Sequence, residues 1–333
     1  MSIAEVGAPA MAPVRGASRS WWQRGLLAAC VVGLTLLWRS LPHAEWPAVL
    51  RRVGPVLPVL AAIALGWMAF YARGLRAILD GGVGWGRLVY NRFIGEAFNV
   101  VMPIGDLGGD PLRVMDLGRQ VGTAKAVRAI VLDRLVYVAG GFVFSAFGSA
   151  AAVRMYAWDP RLERLLTGYV VGALVAAAVL FLLATRPAAV HGVGRLLRLV
   201  KVRLPELPEP IPARTFTRAL GWNLVARAGV LVELTVLLLA LGEHPTFAAV
   251  VAISAIVSVA GIVFTFVPGG VGVNEGAAVL ALTLTGYGET VGLTIGLARR
   301  VRQLLLAAAG VAVSATRAAA ERRRTDLARA RDA

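Results

Sequence analysis

Arginines, carboxylates and glycines gather at two places in this chain where apolar runs stop. Between Pro103 and Arg113 lie Gly105, Asp106, Gly108, Gly109 and Asp110, and between Pro268 and Gly276 lie Gly269, Gly270, Gly272, Asn274 and Glu275. Registered on Pro103 and Pro268 without gaps, the two stretches share three further features. A glycine follows two residues on (Gly105, Gly270), an acid at seven (Asp110, Glu275) and an arginine at thirty-one (Arg134, Arg299). Glycines let the backbone turn tightly and approach a ligand. Backbone amides at such a turn can form an anion-binding concavity, and an arginine fork such as that of Arg113 can clamp a phosphate. The plainer alternative is a capped helix start, with Asp110 as N-cap and Pro111 as first helical residue. For Glu275 it is an acid at a helix N-terminus, favourable by up to about 1 kcal/mol. Capping does not explain why both breaks adjoin apolar segments. Backbone freed at bilayer depth is tolerated only inside protein or along a wet cavity, and a pair of interrupted hydrophobic segments points to a transporter's substrate site.

Further charges sit inside apolar surroundings. Arg92 and Glu96 lie four apart on one helical face with Asn99 three beyond, a polar stripe that stops at Pro103. Asp133 and Arg134 enter an apolar run, and adjacent helical residues point about 100° apart, so they need not pair with each other. A snorkelling arginine at a helix end is the bland alternative there. Asn223 and Arg227 share a face, whereas Glu233 points elsewhere, so each should find a partner on another helix or in water. Arg299, Arg300 and Arg302 make a second positive cluster suited to an anionic headgroup. Ionisable residues at membrane depth usually face a bundle interior or cavity.

The elements that must position these groups follow from composition. Of 333 residues 58% are hydrophobic and 16% charged, with a mean hydropathy of +0.70. That is the signature of an all-α polytopic membrane protein. The net charge of +16 is scattered between apolar runs, so it reads as loop charge facing anionic headgroups rather than a nucleic-acid surface. One cysteine (Cys30) and three histidines supply no metal site, His-based triad or thiol nucleophile, and no cofactor or nucleotide-binding motif is expected. Spans are expected near 22–39, 55–73, 134–153, 167–185, 219–241 and 246–267. Residues 88–102 and 271–316 are open between re-entrant pairs and bent spans. The expectation is six to eight transmembrane helices with one or two re-entrant or broken helices, and the echo invites an inverted repeat. Residues 1–20 read as a mobile arm, 21–316 as one transmembrane domain with a Pro-rich cytoplasmic loop at 186–218, and 317–333 as a basic cytoplasmic tail. Arginine-rich loops fall on one side if both termini are cytoplasmic. The 154–166 loop fits that scheme least well.

With these residues in view, the chain resembles a known family. Asn99 to Pro103, Gly108, Gly109 and Arg113, then Asp133 and Arg134, then Pro268 to Gly272 with Glu275 and Arg299, look like the flippase-like membrane domain of lysylphosphatidylglycerol synthases. The Gly-Gly-acid variant of the first motif is similar to a subfamily associated with hopanoid biosynthesis. The resemblance spans about 50 to 316. It departs at Asp133, where the wider family often carries Glu, and in having no soluble aminoacyl-transfer domain, so synthase activity is not expected. The resemblance implies a non-enzymatic protein that moves an amphipathic lipid, whether an anionic or aminoacylated phospholipid or a hopanoid, between leaflets of the bacterial inner membrane. The alternative is a non-transporting scaffold for lipid-biosynthesis enzymes. A membrane lipid and those enzymes are the expected partners, nucleic acid is not, and oligomeric state is open.

Overall fold

The computed structural model describes residues 51–101, 108–156, 158–187, 209–264 and 272–331. The expected N-terminal arm and first span, Pro103, Gly105, Asp106, Pro268, Gly269, Gly270 and most of the 186–218 loop lie outside them. Among the described residues there are nine α-helices and no strand. They are α1 (Leu57–Ile78), α2 (Trp85–Val101), α3 (Asp110–Val121), α4 (Thr123–Met155), α5 (Pro160–Thr185), α6 (Ala213–Ala240), α7 (Phe247–Val263), α8 (Val273–Leu284) and α9 (Glu289–Arg331).

Local chemistry sets many of the boundaries. Asp159 caps α5 by accepting from the Arg161 amide at 2.8 Å, and Pro160 opens the helix. Thr246 caps α7 through the Ala249 amide at 3.2 Å. Gly122 alone separates α3 from α4, and its φ of +83° supplies the left-handed step that lets the chain reverse in one residue.

Four helices are long and apolar enough to cross a bilayer: Arg51–Ile78, Thr123–Met155, Pro160–Thr185 and Ala213–Ala240. They cover the expected spans at 55–73, 134–153, 167–185 and 219–241. The expected 246–267 span is instead the 17-residue α7, whose helix gives out at Phe264. Residues 113–134, rich in basic residues and outside the expected spans but for the last, are helical through α3 and the start of α4. Helix α3 buries Arg113 and Leu117 and draws Asp110 and Asp116 into ion pairs, so a 12-residue helix with four charged residues has no apolar run to announce it. Asp133 and Arg134 therefore sit well inside α4, not at its start. Arg299, Arg300 and Arg302 do not interrupt the last segment either, since α9 runs through them to Arg331, into the expected tail. At 1.5 Å per residue α9 is about 65 Å long, well beyond a hydrocarbon core of roughly 30 Å.

The helices repeat. In α1 to α4 a long helix, a 17-residue helix, a 12-residue helix and a long helix follow one another, and α6 to α9 repeat that order with the same two short lengths. Packing follows the same correspondence: α2 lies on α9 and α7 lies on α4, while α1 and α6 lie on each other. The crossed contacts use small residues alike, Gly310 of α9 against Ala97 of α2 and Gly148 of α4 against Ala255 of α7. Gly74 meets Ala219, and Trp67 meets Gly229, so α1 and α6 run antiparallel. Counterpart helices pointing in opposite directions make this an inverted repeat. Within the first half, Gly95 faces Gly109 and Asn91 faces Arg113, so α2 and α3 form a hairpin. In the second, Glu275 faces Gly296 and Val279 faces Gly292, so α8 returns along α9. Helix α5 has no counterpart among the described residues.

Candidate functional site

Asp133 of α4 is the hub of the first charged cluster. Its Oδ2 accepts from Arg113 Nη2 of α3 at 2.6 Å and lies 3.5 Å from Arg92 Nη1 of α2. Arg92 also pairs with Glu96 at 2.6 Å, realising the spacing of four. Arg113 is 3% exposed, and its other nitrogens donate to Asn91 Oδ1 and Asp110 Oδ1, both at 3.2 Å. Asp110 Oδ2 then accepts from Arg134 Nε at 3.2 Å. Asp133 and Arg134 thus face different partners, as their 100° separation on the helix allowed. Three carboxylates meet three arginines, and the cluster is charge-balanced. Asn99 ties the break in the hairpin by accepting from the Gly109 amide at 2.7 Å. Gly108 and Gly109 are buried, and any side chain at Gly109 would collide with the Gly95 carbonyl. Asp110 is the first residue of α3 and Gly109 its N-cap, one position earlier than expected.

The second cluster lines a cavity of about 310 Å³ between α1, α4, α6, α7, α8 and α9. Arg300, 2% exposed, donates from Nε to Glu275 Oε1 at 2.8 Å. The other Glu275 oxygen accepts from the Gly272 amide at 2.9 Å. Glu275 is therefore both a cap and an ion-pair partner, and the two alternatives for it were not exclusive. Glu233, 1% exposed, lies 3.5 Å from Arg299 Nε and 3.4 Å from Arg302 Nε, too far for good hydrogen bonds. Glu233 Oε1, Arg299 Nε and Nη2 and Arg302 Nε are buried without a hydrogen-bond partner. Arg302 also lies over Trp67, 4.7 Å from the ring centre.

The echo of acid and arginine survives with a one-residue slip: Glu275 takes Arg300, not Arg299. Helix α4 begins thirteen residues after Asp110 and α9 fourteen after Glu275, so the returning helix is set one position later.

Tyr137 joins the clusters. It lines the cavity, and the guanidinium groups of Arg92, Arg134 and Arg227 lie 4.9, 5.5 and 4.6 Å from its ring centre. Among the described residues no carboxylate lies within salt-bridge distance of Arg227. This arginine donates to Asn223 Oδ1 at 3.0 Å and to the Tyr137 carbonyl at 2.7 Å, pinning α6 to α4. A smaller cavity of about 100 Å³ lies on the other side of Trp67, Arg302 and Gln303, reaching Glu96, Phe93 and Val100.

Sequence reasoning named Arg299, Arg300, Arg302 and Glu275 and singled out Glu233 without its partners, but did not place Gln303, Trp67 or Tyr137 in the site. Gln303 continues the polar face of Arg299 and Arg300 at spacings of four and three, which was a usable signal. The two aromatics are indistinguishable in sequence from ordinary apolar helix residues.

A multi-pass α-helical membrane protein with a charged interior is what this fold and site define. The chain belongs to the family described as the lysylphosphatidylglycerol synthase TM region, which it matches over residues 25–310. No curated protein and no solved structure matches it significantly.

Proposed function

We propose that the protein moves an amphipathic lipid with an anionic headgroup between the leaflets of the bacterial inner membrane. The observation that carries this reading is the interior cavity. Its lining holds Arg299, Arg300 and Arg302 against Glu233 and Glu275, an excess of one positive charge, with guanidinium N–H groups left unsatisfied. Its volume falls at the low end for small-molecule sites, which suits a headgroup whose tail stays in lipid. Arginine forks favour phosphate. The cavity lies where the two inverted halves meet, the place expected of a site served by alternating access. Both carboxylates face arginines, which favours binding over acid–base catalysis, so we read the protein as a transporter and not an enzyme.

Topology supports cytoplasmic termini. Helices α1, α4, α5 and α6 supply four crossings; we count α9, long enough to span though outside those four, as a fifth, and the expected span at 22–39 makes six, an even number. The short turn after α6 then faces away from the cytoplasm, and it carries Glu243 and no arginine.

The test uses proteoliposomes with fluorescent acyl-labelled phosphatidylglycerol or phosphatidylcholine in one leaflet. Wild-type protein should move the anionic lipid faster, and Arg299→Gln should slow it about tenfold, equivalent to roughly 1.4 kcal/mol in the barrier. Equal rates for the variant and the wild type, or no protein-dependent movement, would sink this reading. A deletion strain with altered lipid totals but normal leaflet distribution would favour the scaffold, and hopanoid analysis of that strain tests the subfamily.

A further inference from the structure

The geometry points to a monoanionic phosphodiester whose headgroup is an uncharged polyol: the phosphate lies on Arg299 and Arg302, and the hydroxyl arm reaches past Gln303 into the smaller cavity beside Glu96. The inference rests on the anion site proposed above and names the headgroup it serves.

Charge sets the first limit. Three arginines and two carboxylates line the larger cavity, so one negative charge brings it to balance. Whatever else the headgroup carries must then be neutral. An ammonium arm would restore the positive excess in the interior, where an uncompensated ion is costly. The surroundings offer it no relief. Arg227, lying over Tyr137 from α6, adds positive charge and brings no acid with it. In the smaller cavity Glu96 is already held by Arg92 at 2.6 Å, and Arg302 stands on the same lining.

The smaller cavity sets the second. Trp67, Arg302 and Gln303 line both spaces, so a phosphate on Arg302 stands at the partition between them. A phosphodiester has two arms, and the acyl arm belongs in lipid. The other meets about 100 Å³ of space with apolar walls from Phe93, Val100 and Leu306 and with Glu96 and Gln303 for polar contact. Glu96 keeps 32% of its side chain exposed despite the Arg92 pair, so it can accept from a hydroxyl. The Gln303 carbonyl oxygen accepts from Arg300 Nη1 at 3.2 Å, which leaves the amide NH2 to donate to one. A hydroxyl both donates and accepts, and the carbon chain of a polyol suits the apolar walls. A site that hydrogen-bonds a hydroxyl discriminates against the analogue that lacks it.

The experiment is isothermal titration of the full-length protein in detergent with four probes. Short-chain phosphatidylglycerol is compared with short-chain phosphatidylmethanol, which has the same charge and no headgroup hydroxyl, and with short-chain phosphatidylethanolamine, which carries an ammonium. Glycerophosphoglycerol is the same headgroup without acyl chains. Phosphatidylglycerol should bind about tenfold more tightly than phosphatidylmethanol, as hydrogen bonds to a hydroxyl allow, and phosphatidylethanolamine more weakly than either. Gln303→Leu removes the donor, and Leu306→Phe narrows the smaller cavity without touching an ion pair. Each should bring phosphatidylglycerol down to the affinity of phosphatidylmethanol and leave phosphatidylmethanol itself unchanged. Equal affinity for those two lipids in the wild type, or a preference that survives both variants, overturns the polyol subsite and leaves the anionic-lipid reading standing. Phosphatidylethanolamine bound as tightly as phosphatidylglycerol overturns the uncharged headgroup and the anion preference together. Glycerophosphoglycerol bound as tightly as phosphatidylglycerol supports the polyol phosphodiester and overturns the lipid as its source. Failure of all four probes to bind overturns both readings.

Discussion

Around Asp133, three arginines meet three carboxylates, and each carboxylate holds an arginine at 3.2 Å or closer. Around Glu233, three arginines meet two carboxylates, one of them at 3.4 Å or beyond, and a cavity of about 310 Å³ takes up the space between. Both clusters arise at the same point of the repeat, where a 12-residue helix returns along a long one. The difference lies in what fills the interior. In the first half α2 brings Asn91, Arg92 and Glu96 into the cluster, and these complete the pairing. Its counterpart α7 brings only Val257 to the second, and the pairing stays incomplete. One half is built as a closed polar joint, and the other is the half we propose as the receptor. The lesson is that an ion-pair network at bilayer depth reads as structural when its charges cancel and as a site when they do not.

The sharpest way to break that contrast is Asp133→Ala. It takes the 2.6 Å partner from Arg113, which keeps only the 3.2 Å contacts to Asn91 and Asp110, and weakens Arg92, and loss of one partner of a buried pair costs about 3–5 kcal/mol. Thermal unfolding in detergent should show a large drop, whereas Arg299→Gln, which removes a loosely held cation beside a cavity, should leave the transition close to wild type. Comparable losses for the two variants would erase the distinction between joint and receptor. Gly109→Ala comes next. The new methyl group would collide with the Gly95 carbonyl and force α2 and α3 apart, an overpacking cost of about 1–3 kcal/mol. A glycine in the first turn of α8 offers the contrast: Gly276→Ala meets nothing within 4 Å and should be silent in the same assay.

The joint was more legible in sequence than the receptor. Arg92, Glu96, Asp133 and Arg134 announce themselves because charge inside an apolar run demands a partner, and the spacing of four gave the Arg92–Glu96 pair outright. Asp133 with Arg113 was visible as two members of one site, though not as a bond, since twenty residues and a helix reversal at Gly122 separate them. Helix α3 was hidden because a short helix whose charges are paired only through tertiary contacts has the composition of a loop. Glu233 and its arginines are linked only by tertiary packing of α6 on α9, which no local period encodes. Trp67 and Tyr137 were silent for a different reason: aromatic rings in a spanning helix look alike whether they face lipid, core or cavity. The inverted repeat was faintly audible through Pro103 and Pro268, yet its strongest evidence is packing, the crossed contacts of α2 with α9 and α7 with α4.

The smallest expected effect concerns how each half ties its break. In the first, a side chain outside the returning helix does so: Asn99 of α2 reaches the Gly109 amide. In the second, Glu275 of α8 caps its own Gly272 amide while holding Arg300. Cap and charge are therefore separate functions in the joint and a single function in the receptor. Asn99→Ala removes one neutral hydrogen bond, a loss of about 0.5–1.5 kcal/mol, and leaves the Asp110, Arg113 and Arg134 contacts in place. Amide exchange at Gly109 should quicken while anion binding stays unchanged. Glu275→Gln keeps an oxygen for the Gly272 amide but removes the negative charge from Arg300, so the same pair of measurements should reverse: amide protection at Gly272 largely kept, anion affinity altered. If Asn99→Ala changed anion affinity as much as Glu275→Gln does, the two breaks would belong to one functional unit, and the division between joint and receptor would fall.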